Sequence, residues 1–285
     1  MENIGVIGCG LMGAGIAEVC ARHGLTVTVI ERDAAALATG QERIRKSLAR
    51  ALTSGKINQD QFDDSLGNLT FSLDYAALAQ ADLVIEAVAE VEELKFQVFR
   101  TLDEVLKKNN AILASNTSSI QISRLAAVTK RPDHVVGLHF FNPVPVLRLV
   151  EIIASEATST DTIERVRNFA ALQLEKKPIL APDRAGFVVN FLLIPYLLSA
   201  IRLVEAKLAT AEDIDTGMVE GCAHPMGPLA LADLIGLDTT LFIADTLFED
   251  LHEPQLVAPQ LLRDMVAQGK LGRKSGAGFF NYAKK

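Results

Sequence analysis

The chain has 285 residues, 49% of them hydrophobic and 22% charged, which allows two globular domains with a substantial core. A formal net charge of −7 excludes wrapping of nucleic acid, so any anionic ligand must be met by a local basic patch. The cysteines are Cys9, Cys20 and Cys222, with no C-x-x-C pair; this argues against a disulfide frame or a Cys-based zinc site and fits a reducing, cytoplasmic compartment, and no metal is expected.

The chain starts Met1-Glu2-Asn3 and runs straight into the buried strand 4–7, without a signal-peptide pattern. Gly8-Cys9-Gly10-Leu11-Met12-Gly13 follows, and helical periodicity then extends from about Leu11 to Arg22. Gly8 suits a tight turn, Gly10 the close approach of a pyrophosphate, and Gly13 helix–strand packing. The helix start at Leu11 and Met12 offers unpaired N–H groups and the positive dipole end to that phosphate. By itself G-x-G-x-x-G is a weak signal. Context strengthens it, because strand 26–30 ends in Glu31. A carboxylate there accepts both ribose hydroxyls and repels a 2′-phosphate, which favours NAD over NADP. Arg32 works against that preference, since it can stack on adenine or meet a 2′-phosphate.

Residues 34–53 form a long helix carrying Arg43, Arg45, Lys46, Ser47 and Arg50, with Lys56 just beyond. Such a run is commonly a solvated face. In an acidic protein it is also a landing place for the phosphates of a bulky substrate. With a short second helix at 58–65 it makes a helical hairpin inserted into a Rossmann framework. The βα alternation then resumes with strands at 69–71, 82–88 and 111–114 and a helix at 91–108. Glu90, Lys95 and the run Ser115-Asn116-Thr117-Ser118-Ser119 follow strand carboxyl ends, the side on which open parallel sheets bind ligands. The small polar run either caps the next helix or hydrogen-bonds a substrate oxygen.

Strand 134–140 brings His139 to the same rim. From Gly137 to Ile153 the chain reads as two short apolar strands joined by a turn containing Asn142-Pro143 and Pro145, with Glu151 in the second strand. An imidazole and a carboxylate are costly to bury apart, so these two are expected together. A carboxylate accepting from Nδ1 fixes the tautomer and leaves Nε2 to take a proton. The plain alternative is a core histidine bonded to a backbone carbonyl, with Glu151 at a solvated strand end. Convergence of Glu90, Ser118 and His139 on one edge favours catalysis.

A helix at 161–174 and a last strand at 178–180 precede Asp183-Arg184-Ala185-Gly186, which reads as a linker. The fold class is therefore α/β, with a Rossmann-type domain at 1–183 and an all-helical domain at 184–285. Helices are expected near 187–206, 211–221, 228–250 and 256–268. The segment 187–201 is too short to span a bilayer. Helix 187–206 is apolar on nearly all sides, which predicts burial against a second subunit and a homodimer. His224, in a Pro-rich turn, reads as structural.

Taken together, these stretches resemble the L-3-hydroxyacyl-CoA dehydrogenases, particularly the single-function 3-hydroxybutyryl-CoA type. The matching pieces are Gly8-x-Gly-Leu-Met-Gly-Ala-Gly-Ile-Ala, Ala114-Ser-Asn-Thr-Ser-Ser, Gly137-Leu-His-Phe-Phe-Asn-Pro-Val-Pro, Leu149-Val-Glu-Ile-Ile, Gly186-Phe-Val-Val-Asn, His224-Pro-Met-Gly-Pro, Gly236-Leu-Asp-Thr-Thr and the terminal Gly276-x-Gly-Phe-Phe-x-Tyr. The resemblance implies hydride exchange between NAD and C3 of an acyl-CoA. It implies His139 as general acid/base oriented by Glu151, with Ser118 and Asn190 hydrogen-bonding the substrate. It further implies that Glu90, Lys95, Asn116, Asn142 and Lys274 lie near the cofactor, and Ser47 and Lys56 near the CoA phosphates. The chain departs from the family pattern in Ala185 where proline is usual, Phe191 where arginine is usual, and Glu31 where aspartate is commoner. Two rival functions are the same chemistry on a carrier-protein thioester and a non-catalytic NAD-binding role. The 6-phosphogluconate-like dehydrogenases require a lysine four residues before the asparagine; Gly186 stands there, which excludes that mechanism.

Overall fold

Short β-branched runs alternate with amphipathic helices through the first two-thirds of the chain and assemble into one eight-stranded sheet. The computed structural model describes residues 1–282. The strands are β1 (Asn3–Ile7), β2 (Thr26–Ile30), β3 (Leu69–Ser72), β4 (Leu83–Glu86), β5 (Ile112–Ser115), β6 (Val135–Phe140), β7 (Leu149–Ala154) and β8 (Lys177–Pro182). Their order is β3-β2-β1-β4-β5-β6-β7-β8. From β3 to β6 every pairing is parallel; β7 runs antiparallel to β6, and β8 runs parallel to β7. The order reverses at β1, so the crevice between the carboxyl ends of β1 and β4 is the ligand position of such sheets. Pro178 and Pro182 are tolerated because β8 is an edge strand, where a missing N–H costs no ladder bond.

Helix α1 (Leu11–Arg22) buries Ile16, Ala17, Val19 and Cys20 in the same core as Val6, Val27, Val29 and Ile85. The inserted hairpin is α2 (Ala34–Thr53) and α3 (Gln59–Gly67), the first capped by Asp33 and the second by an Asn58/Gln61 capping box. Helix α4 (Glu92–Val105) links β4 to β5. A short α5 (Ile122–Ala126), whose bounds the sequence does not set, begins where the Asp183 carboxylate accepts from the N–H groups of Ile122 and Ser123. Asp183 is thus anchored in the first unit and is not a loose linker residue. The expected helix at 161–174 is α6 (Thr160–Asn168) followed by a π turn at Phe169–Gln173.

By contact the chain forms two units, Met1–Arg184 and Ala185–Lys285. The second holds α7 (Val189–Glu205), α8 (Ala211–Cys222), α9 (Pro228–Ile235), α10 (Leu237–Leu251) and α11 (Gln260–Ala267) around Leu197, Leu198, Ile201, Leu229 and Leu247. The single helix expected at 228–250 is two, because Gly236 takes φ +106°, outside any helix. The tail is fixed at its centre: Asp233, almost fully buried, accepts from the N–H groups of Phe279 and Phe280. Helix α7 is less uniformly covered than its composition suggests, with Leu192 66% and Leu203 41% exposed. Among the described residues no helix is long and apolar enough to cross a membrane.

Candidate active site

The glycine turn is set by sterics. Gly8 has φ +88°, and a Cβ on Gly13 would lie 1.8 Å from the Gly8 carbonyl oxygen, so neither accepts a side chain. Gly10 has nothing within 4 Å of where its Cβ would stand. It is the N-cap of α1 without any side-chain cap, which leaves the first-turn N–H groups of Leu11 and Met12 available to a ligand. Glu31 stands beside this turn at the end of β2. Its Oε1 accepts from the Cys9 N–H at 2.6 Å and its Oε2 from the Arg32 N–H at 3.0 Å. Each oxygen retains a lone pair, so the carboxylate still has acceptor capacity for ribose hydroxyls. Arg32 is 85% exposed and turned to Asp33 at 3.1 Å. An open anion cradle beside a carboxylate fits a dinucleotide with an unphosphorylated ribose.

At the ends of β4 and β5 lies a second acid–base group. Glu86, fully buried, accepts from Lys95 Nζ (2.7 Å), Ser115 Oγ (2.6 Å) and the Val88 N–H (2.7 Å). Lys95 is itself 1% exposed and reaches Glu90 Oε2 at 3.1 Å. Glu90 Oε1 accepts from Thr117 Oγ1, the Ser118 N–H and Ser119 Oγ. Burial alone would raise the Glu90 carboxyl, but the Lys95 charge and the Thr117 and Ser118 donors outweigh it and hold it below the ordinary carboxylate range. Lys95 therefore reaches the rim through Glu90. Ser118 stands half-buried at the start of the loop after β5, and Asn116 bridges β5 to β6 by accepting from the Phe140 N–H at 2.9 Å.

Glu86 is not among the candidate residues read from the sequence, where it stands inside the apolar strand 82–88; in the structure it ends β4. A carboxylate inside Leu-Val-Ile-Glu-Ala-Val demands a buried partner, and Lys95 nine residues on is that partner.

The third group is the hairpin of β6 and β7. Antiparallel register sets His139 directly opposite Glu151, which puts both side chains on one face of the sheet. His139 Nδ1 and Glu151 Oε2 are 2.8 Å apart, with the residues 6% and 0% exposed. An ionised carboxylate only accepts, so Nδ1 is the protonated nitrogen and Nε2 carries the lone pair of the neutral ring. The Phe141 ring lies against the imidazole, with centroids 4.5 Å apart. Asn142 follows, exposed, before a cis Asn142-Pro143 bond.

The remaining expected site residues lie elsewhere. On α2, Ser47 is half-buried, while Lys56 is exposed after the helix. Arg43 donates to the Cys9 carbonyl at 2.7 Å, and Arg45 and Lys46 pair with Glu42. In the helical unit, Asn190 lies in the first turn of α7 at 7% exposure, and Lys274 pairs with Asp238.

Residues 3–184 match the family described as 3-hydroxyacyl-CoA dehydrogenase, NAD binding domain, and residues 186–282 its C-terminal domain. A 3-hydroxybutyryl-CoA dehydrogenase of Mycobacterium tuberculosis is 52% identical over 282 residues, covering 99% of each chain. The mitochondrial hydroxyacyl-coenzyme A dehydrogenase of Homo sapiens is 42% identical over 289 residues, 99% of this chain and 91% of that protein. The crystal structure of (S)-3-hydroxybutyryl-CoA dehydrogenase from Ralstonia eutropha matches with a TM-score of 0.92 at 42% identity, covering 100% of both chains.

Proposed function

Because the chain belongs to the 3-hydroxyacyl-CoA dehydrogenase family, we propose that it exchanges a hydride between NAD and C3 of a short-chain L-3-hydroxyacyl-CoA, namely 3-hydroxybutyryl-CoA and its oxidised form acetoacetyl-CoA. The observation that carries this is the 2.8 Å contact of His139 with Glu151 on the rim of a dinucleotide-type sheet. When bound, NAD supplies the nicotinamide ring that takes the hydride. The glycine turn and the N-terminus of α1 would hold its pyrophosphate and Glu31 its ribose, and on the family resemblance Glu90, Asn116 and Asn142 would serve its nicotinamide end.

In oxidation His139 removes the proton of the 3-hydroxyl through Nε2. The imidazolium so formed is stabilised by the adjacent Glu151 charge, which is worth most where water is excluded. Reduction runs the same proton transfer backwards. Ser118, and from the helical unit Asn190, are assigned as substrate hydrogen-bonding residues on the family resemblance, and Ser47 and Lys56 as CoA contacts on the same ground. The basic face of α2 supports a phosphate-bearing substrate in a chain that is acidic overall.

Loss of NADH absorbance with acetoacetyl-CoA tests the assignment. Comparable rates with acetoacetyl-pantetheine would remove the α2 face from substrate binding. Preference for a carrier-protein thioester would move the substrate class. No turnover with any of these would leave only a cofactor-binding role. The same measurement with NADPH, expected to be much slower, tests Glu31. Exposed Leu192 and Leu203 on α7 support self-association through the helical unit as a homodimer, to be checked by sedimentation. Three free cysteines support a cytoplasmic location, to be checked by cell fractionation.

A further inference from the structure

Lys176 is 8% exposed and has no part in the chemistry above. It lies in the turn between Phe169–Gln173 and β8, where its own N–H donates to the Ala170 carbonyl at 2.8 Å. Its Nζ donates to two carbonyls of the β6–β7 connection, Val144 at 2.6 Å and Leu147 at 2.7 Å. A buried ammonium is usually matched by a carboxylate. Here the charged neighbours acting on it are the cations Arg22 and Arg148; Cys20 is a neutral thiol, pushed by burial to about 12. Burial first, and then these cations, hold the Lys176 ammonium below the ordinary lysine range. The two carbonyl bonds, at charge-assisted length, are what keep it in place.

The connection that Lys176 grips, Phe141–Arg148, has two further anchors. The N–H groups of Val146 and Leu147 both donate to the Pro143 carbonyl, closing a tight turn. The Val144 side chain, 2% exposed, packs on α1 at Gly15, where a Cβ would come within 2.9 Å of Val144 Cβ. One end of this strap is Phe141, whose ring lies on His139; its middle is seated on the helix that begins at the glycine turn. The strap therefore joins the cofactor helix to the imidazole.

We infer that Lys176 is a positioning residue: by holding the Val144 and Leu147 carbonyls it sets the placement of the His139 ring relative to the helix of the glycine turn. This rests on the acid–base role proposed for His139. Misplacement of reacting groups by about 1 Å costs on the order of 10²-fold in rate. Lys176→Met removes the donors and keeps an unbranched side chain one atom shorter. It is expected to lower kcat roughly 10–100-fold while leaving the Kd for NADH nearly unchanged. With NADH deuterated at the transferred position, the isotope effect on kcat should rise, because hydride transfer becomes slower relative to product release.

Lys176→Gln, which restores N–H donors on a neutral head, should recover part of the rate, and it carries the test if the methionine variant does not fold. His139→Gln is measured in parallel. Retained turnover in that variant overturns the acid–base role and this proposal with it. If His139→Gln is inactive, an unchanged isotope effect with turnover lost only in proportion to folded protein overturns the role of Lys176 alone. So does unchanged turnover in both Lys176 variants.

Discussion

Two buried acid–base groups stand on the same sheet rim, and they differ in what their charges can do. Lys95 lies between Glu86 and Glu90, 2.7 Å and 3.1 Å from their oxygens. An ammonium has donors only, so this group is a fixed scaffold that shapes the loop of Ser118. His139 faces Glu151 at 2.8 Å, but an imidazole can both donate and accept a proton. Both groups are buried and paired, and only the ring chemistry of His139 suits the proton transfer proposed for it. The comparison also separates two kinds of sensitivity: one group should fail in turnover, the other in stability.

Replacing His139 by Gln is the strongest way to expose that difference. Turnover should fall by about 10²–10⁴-fold, with the melting temperature and NADH titration nearly unaltered. Lys95→Met should act first on stability, and on turnover only through the Glu90 and Ser118 loop that it holds. It strands Glu86 and much of Glu90 without a counter-charge, at a cost of about 3–5 kcal/mol in chemical denaturation. A double variant with Glu86→Gln should recover part of that loss; equal loss in single and double variants would contradict the scaffold role.

Glu151→Gln sharpens the contrast from the other side, since it keeps an oxygen acceptor and removes only the charge. Steady-state turnover should drop by about 10²-fold, with stability little changed.

The smallest effect expected is on acid stability. Asp82 is opposed by burial but held down to about 2 by Lys108 and the N–H groups of Asn3 and Glu2. A carboxyl depressed by folding contributes stability above its unfolded value, and that contribution is lost as pH falls through the folded value. Melting temperature should therefore decline between about pH 4 and 2. Lys108→Met should flatten that decline without affecting turnover at neutral pH.

Local signals were enough for most of the fold. Strand–glycine–helix spacing placed the turn at Gly8–Gly13, and short apolar runs placed the strands, because periodicity and backbone sterics act within a few residues. The same local logic reached His139 and Glu151, since two isolated ionisable groups in apolar strands each demand a partner. It failed at Gly236, where a positive φ breaks a pattern that looks continuous, and at α5, whose cap is Asp183, about 60 residues away.

The sequence by itself determined the alternation of strands and helices, the acidic end of β2 and the choice of His139 and Glu151 as the pair proposed for proton transfer. Only the tertiary structure decided that β7 runs antiparallel and so sets Glu151 opposite His139. It alone also decided that Lys95 is enclosed by Glu86 and Glu90, and that Lys176 is clamped on the β6–β7 strap. Those facts depend on which distant groups share a dry environment. Hydrogen-bond and charge compensation there is settled by three-dimensional neighbours, which the order of residues along the chain does not state.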